Sequence, residues 1–226
     1  MAKKRIKQKW EIVIKDRFLT NEKPDNLYVT ALLYFAVFFL SFLLVFVCFF
    51  QLCEVQKTSM LNTLHEGDSV LLLKTSVTYK RGDIVVITKD NNGTSMNIIK
   101  RVIAVGGDTL RFTFDDEDGN VQLYLKKKGE EEFSRLNEKY VREPMTKAGF
   151  VDLDDSVDFD KDIVIDSGFI FALGDNRNVS QDSRHDGQYP VTSVYGKSVL
   201  TVQKDSLLEW LLKLLYHENN TANGLG

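Results

Sequence analysis

The feature that most constrains this chain is an uncharged apolar run from Leu27 to Cys53. It contains no Asp, Glu, Lys, Arg or His and consists mainly of Leu, Phe and Val. At ~1.5 Å per residue, a helix over Thr30–Phe50 alone would cross the ~30 Å hydrocarbon layer of a bilayer. The run therefore predicts one transmembrane helix rather than a wholly soluble chain.

A cleavable signal peptide is the natural alternative to an anchor. Signal peptides have an apolar core of ~7–15 residues and end at a small-residue site. This run is longer, and the bulky Gln51 and Leu52 precede Cys53, which also argues against a lipoprotein-type cysteine. We therefore predict a retained, single-pass anchor over residues 27–53.

The charges that flank the anchor predict its orientation. Residues 1–26 begin with a cluster of lysine and arginine, and basic flanks stay in the cytoplasm. We therefore expect a basic cytoplasmic tail, an extracytoplasmic domain after Cys53, and a location in the plasma (cell) membrane.

Composition excludes several classes of function. The formal charge is −3, and no stripe of Lys and Arg alternates with aromatics, which argues against a nucleic-acid partner. Both cysteines, Cys48 and Cys53, lie in the apolar run and are interpreted as apolar side chains. The histidines are scattered, which disfavours a zinc site. The sequence predicts neither metal nor cofactor.

The exported part is predicted to be mostly β, an open barrel or sandwich-like domain over residues 54–205. Short apolar runs bounded by turn residues indicate the strands, with a hairpin signal at Asn91-Asn92-Gly93. These runs are Val70–Leu73, Ile84–Ile87, Asn97–Val105 and Phe169–Leu173. Residues 114–167 are heavily charged with weak periodicity, so we interpret them as an inserted, surface-facing lobe.

The end of the chain predicts an amphipathic helix and tail over residues 206–226. Ser206–Tyr216 is rich in Leu and interrupted only by Glu209 and Lys213, and it is too short to span a bilayer. One interpretation is a helix packed on the core or on a partner. The other is an interfacial helix on the outer leaflet, with Trp210 and Tyr216 at the headgroup level.

Ser59, in the stretch Thr58–Leu64 shortly after the apolar run, is the candidate nucleophile. A serine hydroxyl needs a base to remove its proton. His65 or His185 would make a Ser-His-Asp hydrolase, but no Gly-x-Ser-x-Gly motif surrounds Ser59. The histidine hypothesis is therefore the weaker one.

Lys100 is the alternative base. Strand alternation places it on one face with Ile98, Val102 and Ala104, whereas Arg101 points to the other face. Apolar surroundings would lower its pKa from ~10.4, and a shift of ~2–3 units would leave enough neutral amine for general-base catalysis. A lysine extending from an edge strand into solvent is the rival interpretation.

Five sequence boxes in order resemble those of the bacterial type I signal peptidases (leader peptidases), in their Gram-positive-like single-anchor form. The family's Ser-Met-x-Pro-Thr-Leu and Gly-Asp-x-Val boxes are followed by two strand boxes. Its Gly-Asp-Asn-Arg-x-x-Ser-x-Asp-Ser-Arg box is met in full. The matching segments are Ser59–Leu64, Gly67–Val70, Arg81–Val86, Lys100–Ile103 and Gly174–Arg184. The resemblance covers roughly Leu27 to Lys197 and is poorest over residues 114–167.

The resemblance implies a membrane-bound serine endopeptidase that removes N-terminal signal peptides after small residues, at Ala-x-Ala-like sites. Ser59 would be the nucleophile, with its backbone N–H as an oxyanion donor, and Lys100 the general base. Met60 and Leu61 would contact substrate. The implied partners are secreted preproteins and the lipid bilayer.

The resemblance also implies supporting residues around this dyad. Ser180 would hydrogen-bond and orient the lysine amine. Asp182 and Arg184 would form an ion pair that holds their loop. Asp175 and Arg101 would support the site structurally.

Three departures keep other functions open. The proline of the nucleophile box is Asn62, the family's Gly-x-Pro-Gly-Asp is Ala104–Asp108, and Lys57 stands two residues before the nucleophile. Because proline fixes φ near −65°, we expect a less preorganised turn. The alternative function is a divergent assembly factor for surface proteins with little or no proteolysis, working with secretion or surface-assembly machinery. A soluble Ser-Lys self-cleaving repressor domain is disfavoured by the anchor.

Overall fold

The computed structural model describes residues 27–75, 78–91, 94–115, 117–150 and 159–216. The predicted basic tail, residues 1–26, lies outside them, as do the turn residues 92–93, residues 151–158 of the inserted lobe and the end of the chain, residues 217–226. The chain divides into two compact units, Met1–Phe46 and Val47–Gly226.

Helix α1, Leu27–Phe49, has a mean hydropathy of 2.8 over its most apolar window and no buried side chain. Its length and composition suffice to cross a membrane. The apolar run continues to Cys53, but the helix ends at Phe49 because Phe50–Glu54 pair instead as strand β1. The apolar helix and the predicted anchor thus coincide except for the last residues of the run.

The Val47–Gly226 unit is built from antiparallel strands, which confirms the predicted mostly-β fold. The larger sheet has the order β1-β2-β11-β3-β4-β9-β10. Its further strands are β2 (Ser69–Leu73), β3 (Ile84–Asn91), β4 (Thr94–Val105), β9 (Phe169–Leu173), β10 (Tyr189–Pro190) and β11 (Val194–Val202). The smaller sheet, in the order β7-β6-β5-β8, contains β5 (Thr109–Phe114), β6 (Val121–Lys126), β7 (Ser134–Arg135) and β8 (Asp162–Val164).

The described residues also form four short helices. They are two 3₁₀ turns, Lys147–Phe150 and Val191–Ser193, and helices α2 (Ser183–Asp186) and α3 (Leu207–Tyr216).

The β3–β4 hairpin is the longest pairing in the larger sheet, with partners running from Ile84↔Arg101 to Asn91↔Thr94. This confirms the predicted hairpin. The other side of β4 pairs with β9, and the register shifts between Val102 and Ala104. A bulge of this kind bends the strand, and Ala104 joins a different core cluster from Val102.

The inserted lobe is less separate from the main domain than its charge predicted. In β6, Val121, Leu123 and Leu125 are buried while the residues between them are only partly covered. They share one hydrophobic cluster with Phe112 of β5 and Phe171 of β9. The alternation of apolar and polar residues along β6 was the sequence signal for this buried strand, and the many charged residues around it obscured that signal.

Candidate functional site

The structure brings Ser59 and Lys100 into direct contact. Lys100 Nζ donates a hydrogen bond to Ser59 Oγ over 3.0 Å. Ser59 lies in the turn region after β1, and Lys100 lies in the middle of β4, opposite Val85 of β3. A lysine amine at this distance is within reach of the hydroxyl proton.

Lys100 is only 1% exposed, and this burial lowers its pKa from 10.5 to about 8. The negative charges of Asp182 and Asp186 oppose the shift, whereas the positive charges of Lys57 and Arg184 add to it. Above about pH 8 the amine is therefore mainly neutral and can accept a proton. The exposed Lys57, two residues before Ser59, thus favours the neutral form of the Lys100 amine.

A tight turn follows the serine. The Thr63 N–H donates to the Met60 carbonyl over 3.0 Å, and Asn62 has φ of +91°. A positive φ at the third position is typical of a type II turn, where Gly and Asn are favoured. Proline cannot adopt this φ, so Asn62 suits the turn that this chain forms. The expectation of a less preorganised turn stays a prediction.

Met60 anchors this turn in the core. Its side chain is fully buried with Leu64, Val55 and Ile99. The expectation that Met60 contacts substrate stays a prediction, and its side chain is enclosed in this structure. Leu61, by contrast, is 36% exposed.

Arg101 and Asp175 tie the serine turn to β4. Arg101 Nε and Nη2 donate to the two Asp175 carboxylate oxygens over 2.9 and 2.6 Å. Thr63 Oγ1 donates to the same carboxylate and accepts from Arg101 Nη2 over 3.2 Å. The Asn176 N–H donates to the Ser59 carbonyl over 2.9 Å. The serine turn is thereby held by the loop that follows β9.

Asp182 and Arg184 form a bidentate ion pair that is wholly buried, with 2.9 Å for both Nε···Oδ1 and Nη2···Oδ2. Burial alone would raise the pKa of Asp182, but the Arg184 charge and hydrogen bond, with the Gly174 N–H, hold it below its usual value. The Arg184 guanidinium also donates to the carbonyls of Ser180 and Gly149. This pair organises the loop that faces Lys100.

Ser180 lies in this loop without the predicted hydrogen bond to Lys100. Its Oγ is buried and has no hydrogen-bond partner among the described residues. It packs so closely on Gly174 that a Cβ there would lie 2.2 Å from Ser180 Oγ and 2.6 Å from the Ser59 carbonyl oxygen. Gly174 is therefore required by the close approach of the Ser180 side chain and the Ser59 carbonyl group.

Two residues of the inserted lobe, Glu138 and Tyr140, were missed by sequence reasoning. Glu138 accepts from Arg177 Nη1 and Nη2 over 2.5 and 2.6 Å, and Arg177 Nε donates to the Gly174 carbonyl over 3.0 Å. The Tyr140 ring lies 4.0 Å from the Arg101 guanidinium, and its hydroxyl donates to Glu138 over 2.7 Å. No local pattern marks these residues, because the contacts join segments that are distant along the chain.

The histidine alternative gains no support from the geometry. His65 Nδ1 lies 3.7 Å from Asp68 Oδ2, and His185 Nδ1 is buried with no hydrogen-bond partner in the described part of the chain. The same part holds no group of three or more His, Cys, Asp or Glu side chains suited to a metal ion. The contact to Ser59 Oγ comes from Lys100 instead.

Comparison with known proteins identifies the family. Residues 28–203 match the family described as signal peptidase, peptidase S26. Signal peptidase I of Bacillus licheniformis is 35% identical over 58% of this chain, and the matched region spans 64% of that protein's length. Signal peptidase I of Aquifex aeolicus (strain VF5) is 30% identical over 66% of this chain and 73% of that protein.

A signal peptidase I structure from Enterococcus faecalis V583 aligns with 53% of this chain and 96% of its own, at 24% identity and a TM-score of 0.35. Because the family match covers most of the chain, the protein belongs to the signal peptidase family, peptidase S26.

Proposed function

We propose that this protein is a membrane-anchored serine endopeptidase that removes signal peptides from exported preproteins. The observation that carries the proposal is the 3.0 Å contact between Ser59 Oγ and the Nζ of a buried lysine. The relatives from Bacillus and Aquifex are signal peptidases I, which supports the substrate class.

In this mechanism, neutral Lys100 accepts the hydroxyl proton while Ser59 Oγ attacks the carbonyl carbon of the scissile bond. The backbone N–H of Ser59 would stabilise the oxyanion that forms. Protonated Lys100 then donates its proton to the departing amine, which leaves an acyl-serine ester. Water, deprotonated by Lys100, hydrolyses that ester and restores the free hydroxyl.

The neighbouring residues would position this dyad. The Asp175–Arg101 pair would fix the serine turn, and the Asp182–Arg184 pair would fix the loop around Ser180. Ser180 Oγ, buried without a partner in the described residues, would reach the lysine amine after a side-chain rotation. Leu61 is the exposed residue of the serine turn and would contact the preprotein.

The anchor would place this chemistry outside the plasma membrane. Helix α1 would span the bilayer once, with the basic residues 1–26 in the cytoplasm and the β domain on the other side. A preprotein's own apolar segment would then lie in the same membrane as the enzyme. Small residues one and three positions before the cut would define the site.

The decisive experiment is cleavage of an Ala-x-Ala peptide by the full chain in detergent. We expect no cleavage by Ser59→Ala and a loss of at least about a hundredfold for Lys100→Met, since a general base contributes ~10²–10⁴. Lys80→Met, at an exposed lysine, is the matched control and should cleave normally. Normal cleavage by Lys100→Met would exclude the dyad mechanism. Preprotein binding without cleavage by the unaltered chain would favour the assembly-factor function.

A further inference from the structure

Helix α3 presents an unusual surface. Its buried residues are Glu209 and Leu212, at 4% and 8% exposure. Its remaining leucines and its tryptophan are all exposed, between 42% for Leu215 and 73% for Leu207. At 3.6 residues per turn, these side chains occupy one continuous arc of about 160°. The residues of this apolar arc are Leu207, Leu208, Trp210, Leu211, Leu214 and Leu215.

This orientation is the reverse of that in an ordinary surface helix, which turns its apolar stripe toward the core. In α3, Glu209 faces the domain, and the half-exposed Lys213 lies at the edge of the same side. Glu209 accepts a hydrogen bond from Ser69 Oγ of β2 over 2.9 Å, and Lys213 Nζ lies 3.5 Å from Glu54 Oε2 of β1. The apolar arc is therefore left uncovered by the described residues.

Polar contacts at the start of α3 fix this orientation. Ser206 Oγ accepts from the Glu209 N–H over 3.2 Å, and Glu209 Oε2 accepts from the Asp205 N–H over 2.7 Å. This arrangement resembles a capping box, in which Ser and Glu three residues apart satisfy the free N–H groups. Because Glu209 also bonds Ser69 and Lys213, the helix cannot rotate its apolar arc inward without breaking these bonds.

The position of α3 in the fold indicates what covers the arc. The helix packs on β1, and the first residue of β1, Phe50, is bonded covalently to Phe49, the last residue of α1. A strand rises ~3.3 Å per residue, so Glu54 lies within about 17 Å of the end of the apolar helix. Val199 and Leu200 of β11 expose further apolar surface. An apolar surface of this size, close to a membrane-spanning segment, fits the boundary between headgroups and acyl chains.

We propose that α3 docks on the lipid bilayer that α1 enters, with its apolar arc in the headgroup–acyl boundary and Trp210 at the interface. The β domain would then be attached to the membrane at two places rather than one. Two attachments restrict rotation of the domain about the anchor. The inference does not depend on the proposed peptidase activity, since it rests on the exposed arc and on chain connectivity.

The test uses the full chain in phosphatidylcholine–phosphatidylglycerol vesicles. The chain has two tryptophans, Trp10 and Trp210, so Trp10→Phe leaves Trp210 as the only one. We expect blue-shifted emission, protection from aqueous acrylamide, and quenching by lipids brominated near the headgroup. Trp210 should lie within about 5–10 Å of the headgroup level. Red-shifted emission with full acrylamide quenching would overturn the proposal.

A triple variant with Leu207→Ser, Leu211→Ser and Leu214→Ser tests the arc itself. It should reduce lipid quenching roughly twofold or more, since the apolar area determines interfacial binding. Val164→Ser and Val179→Ser change exposed apolar residues elsewhere and should leave quenching unchanged. A second copy of the chain would instead protect Trp210 from acrylamide without quenching by the brominated lipid. In that case Trp210 would become accessible to acrylamide when the protein is diluted with additional lipid, and the lipid proposal would be wrong.

Discussion

Lys100 shows how burial of a single residue can determine its chemistry. The lysine is enclosed among core side chains, and its ammonium form loses hydration that the nearby carboxylates only partly replace. The resulting pKa of about 8 makes the amine a usable base near neutral pH. Two measurements, one of activity and one of stability, follow from this value.

Peptide cleavage should increase as pH rises through about 8, the pKa of Lys100. Below that pH the amine is protonated and cannot accept the Ser59 proton, so kcat/KM should fall about tenfold for each further pH unit. The measurement is kcat/KM between pH 6 and 10 with a peptide lacking titratable side chains. A flat profile would contradict a lysine base.

The same burial should make stability depend on pH. The folded pKa of about 8 lies below the ordinary 10.5, so between these values the unfolded chain binds more protons. The free energy of unfolding therefore rises with pH in that window. Below pH 8 the buried charge opposes folding by about 3 kcal/mol, at ~1.36 kcal/mol per pH unit.

Lys100→Met should consequently stabilise the folded chain at pH 6–7, by about 1–3 kcal/mol once the lost contact to Ser59 is included. The gain should disappear toward pH 10.5. Denaturant unfolding of the full chain in detergent at several pH values measures it, with Lys80→Met as control. A constant difference between Lys100→Met and the parent at all pH values would exclude a depressed lysine pKa.

Asn62 is a second residue whose conformation has consequences. Its φ of +91° is easy for Gly, tolerated by Asn, strained for Ala and closed to Pro. We expect Asn62→Gly to be nearly neutral, Asn62→Ala to destabilise by about 1 kcal/mol, and Asn62→Pro to destabilise by about 3 kcal/mol. Thermal unfolding and peptide cleavage should follow the same order. A stable, active Asn62→Pro protein would show that the turn can adopt a different conformation.

At the scale of elements, strand β4 serves two functions because its side chains alternate. Lys100 reaches Ser59 Oγ, and the next residue, Arg101, reaches Asp175 on the loop after β9. Alternation along Asn97–Val105 predicted this division from sequence. The bulge after Val102 could not be predicted, because it depends on the pairing with β9.

The segment from Glu138 to Phe150 acts as a support for the loop that follows β9. Glu138 bonds Arg177, Asn178 bonds the Thr146 N–H and the Pro144 carbonyl, and Arg184 bonds the Gly149 carbonyl. The charged lobe therefore contacts the Gly174–Arg184 loop at Arg177, Asn178 and Arg184. This support explains why a weakly patterned segment lies beside the site.

Glu138→Gln tests this support. Arg177 is 2% exposed, so its charge would remain buried after the change and the chain should lose about 2–4 kcal/mol of stability. We expect a lower kcat with little change in KM, since in the proposed mechanism the loop would position Ser59 and Lys100 rather than the preprotein. Glu130→Gln, at an exposed residue paired with Lys127 in the same lobe, should leave the stability nearly unchanged, because solvent screens an exposed ion pair. Equal effects of the two changes would contradict the supporting role.

At the scale of the whole molecule, the two sheets belong to one folded domain. Phe112 of the smaller sheet packs on Phe171 of the larger one and on Phe150, with ring centroids 6.1 and 5.4 Å apart. The inserted lobe shares this core rather than forming its own. Helix α1 differs, since it buries no side chain and its apolar surface suits lipid.

The sequence by itself determined the apolar helix, four strands of the larger sheet (β2, β3, β4 and β9) and the boxes that carry the resemblance to the family. These features depend on periodicity and on residues close along the chain, so local physics suffices to predict them. The tertiary structure alone decided that Ser59 Oγ lies 3.0 Å from Lys100 Nζ and that Asn62 takes a positive φ. It also decided that Glu138 supports the loop after β9 and that α3 turns its polar side inward. Burial, desolvation and ion pairing between distant segments arise only when the chain has packed, and no local pattern records them.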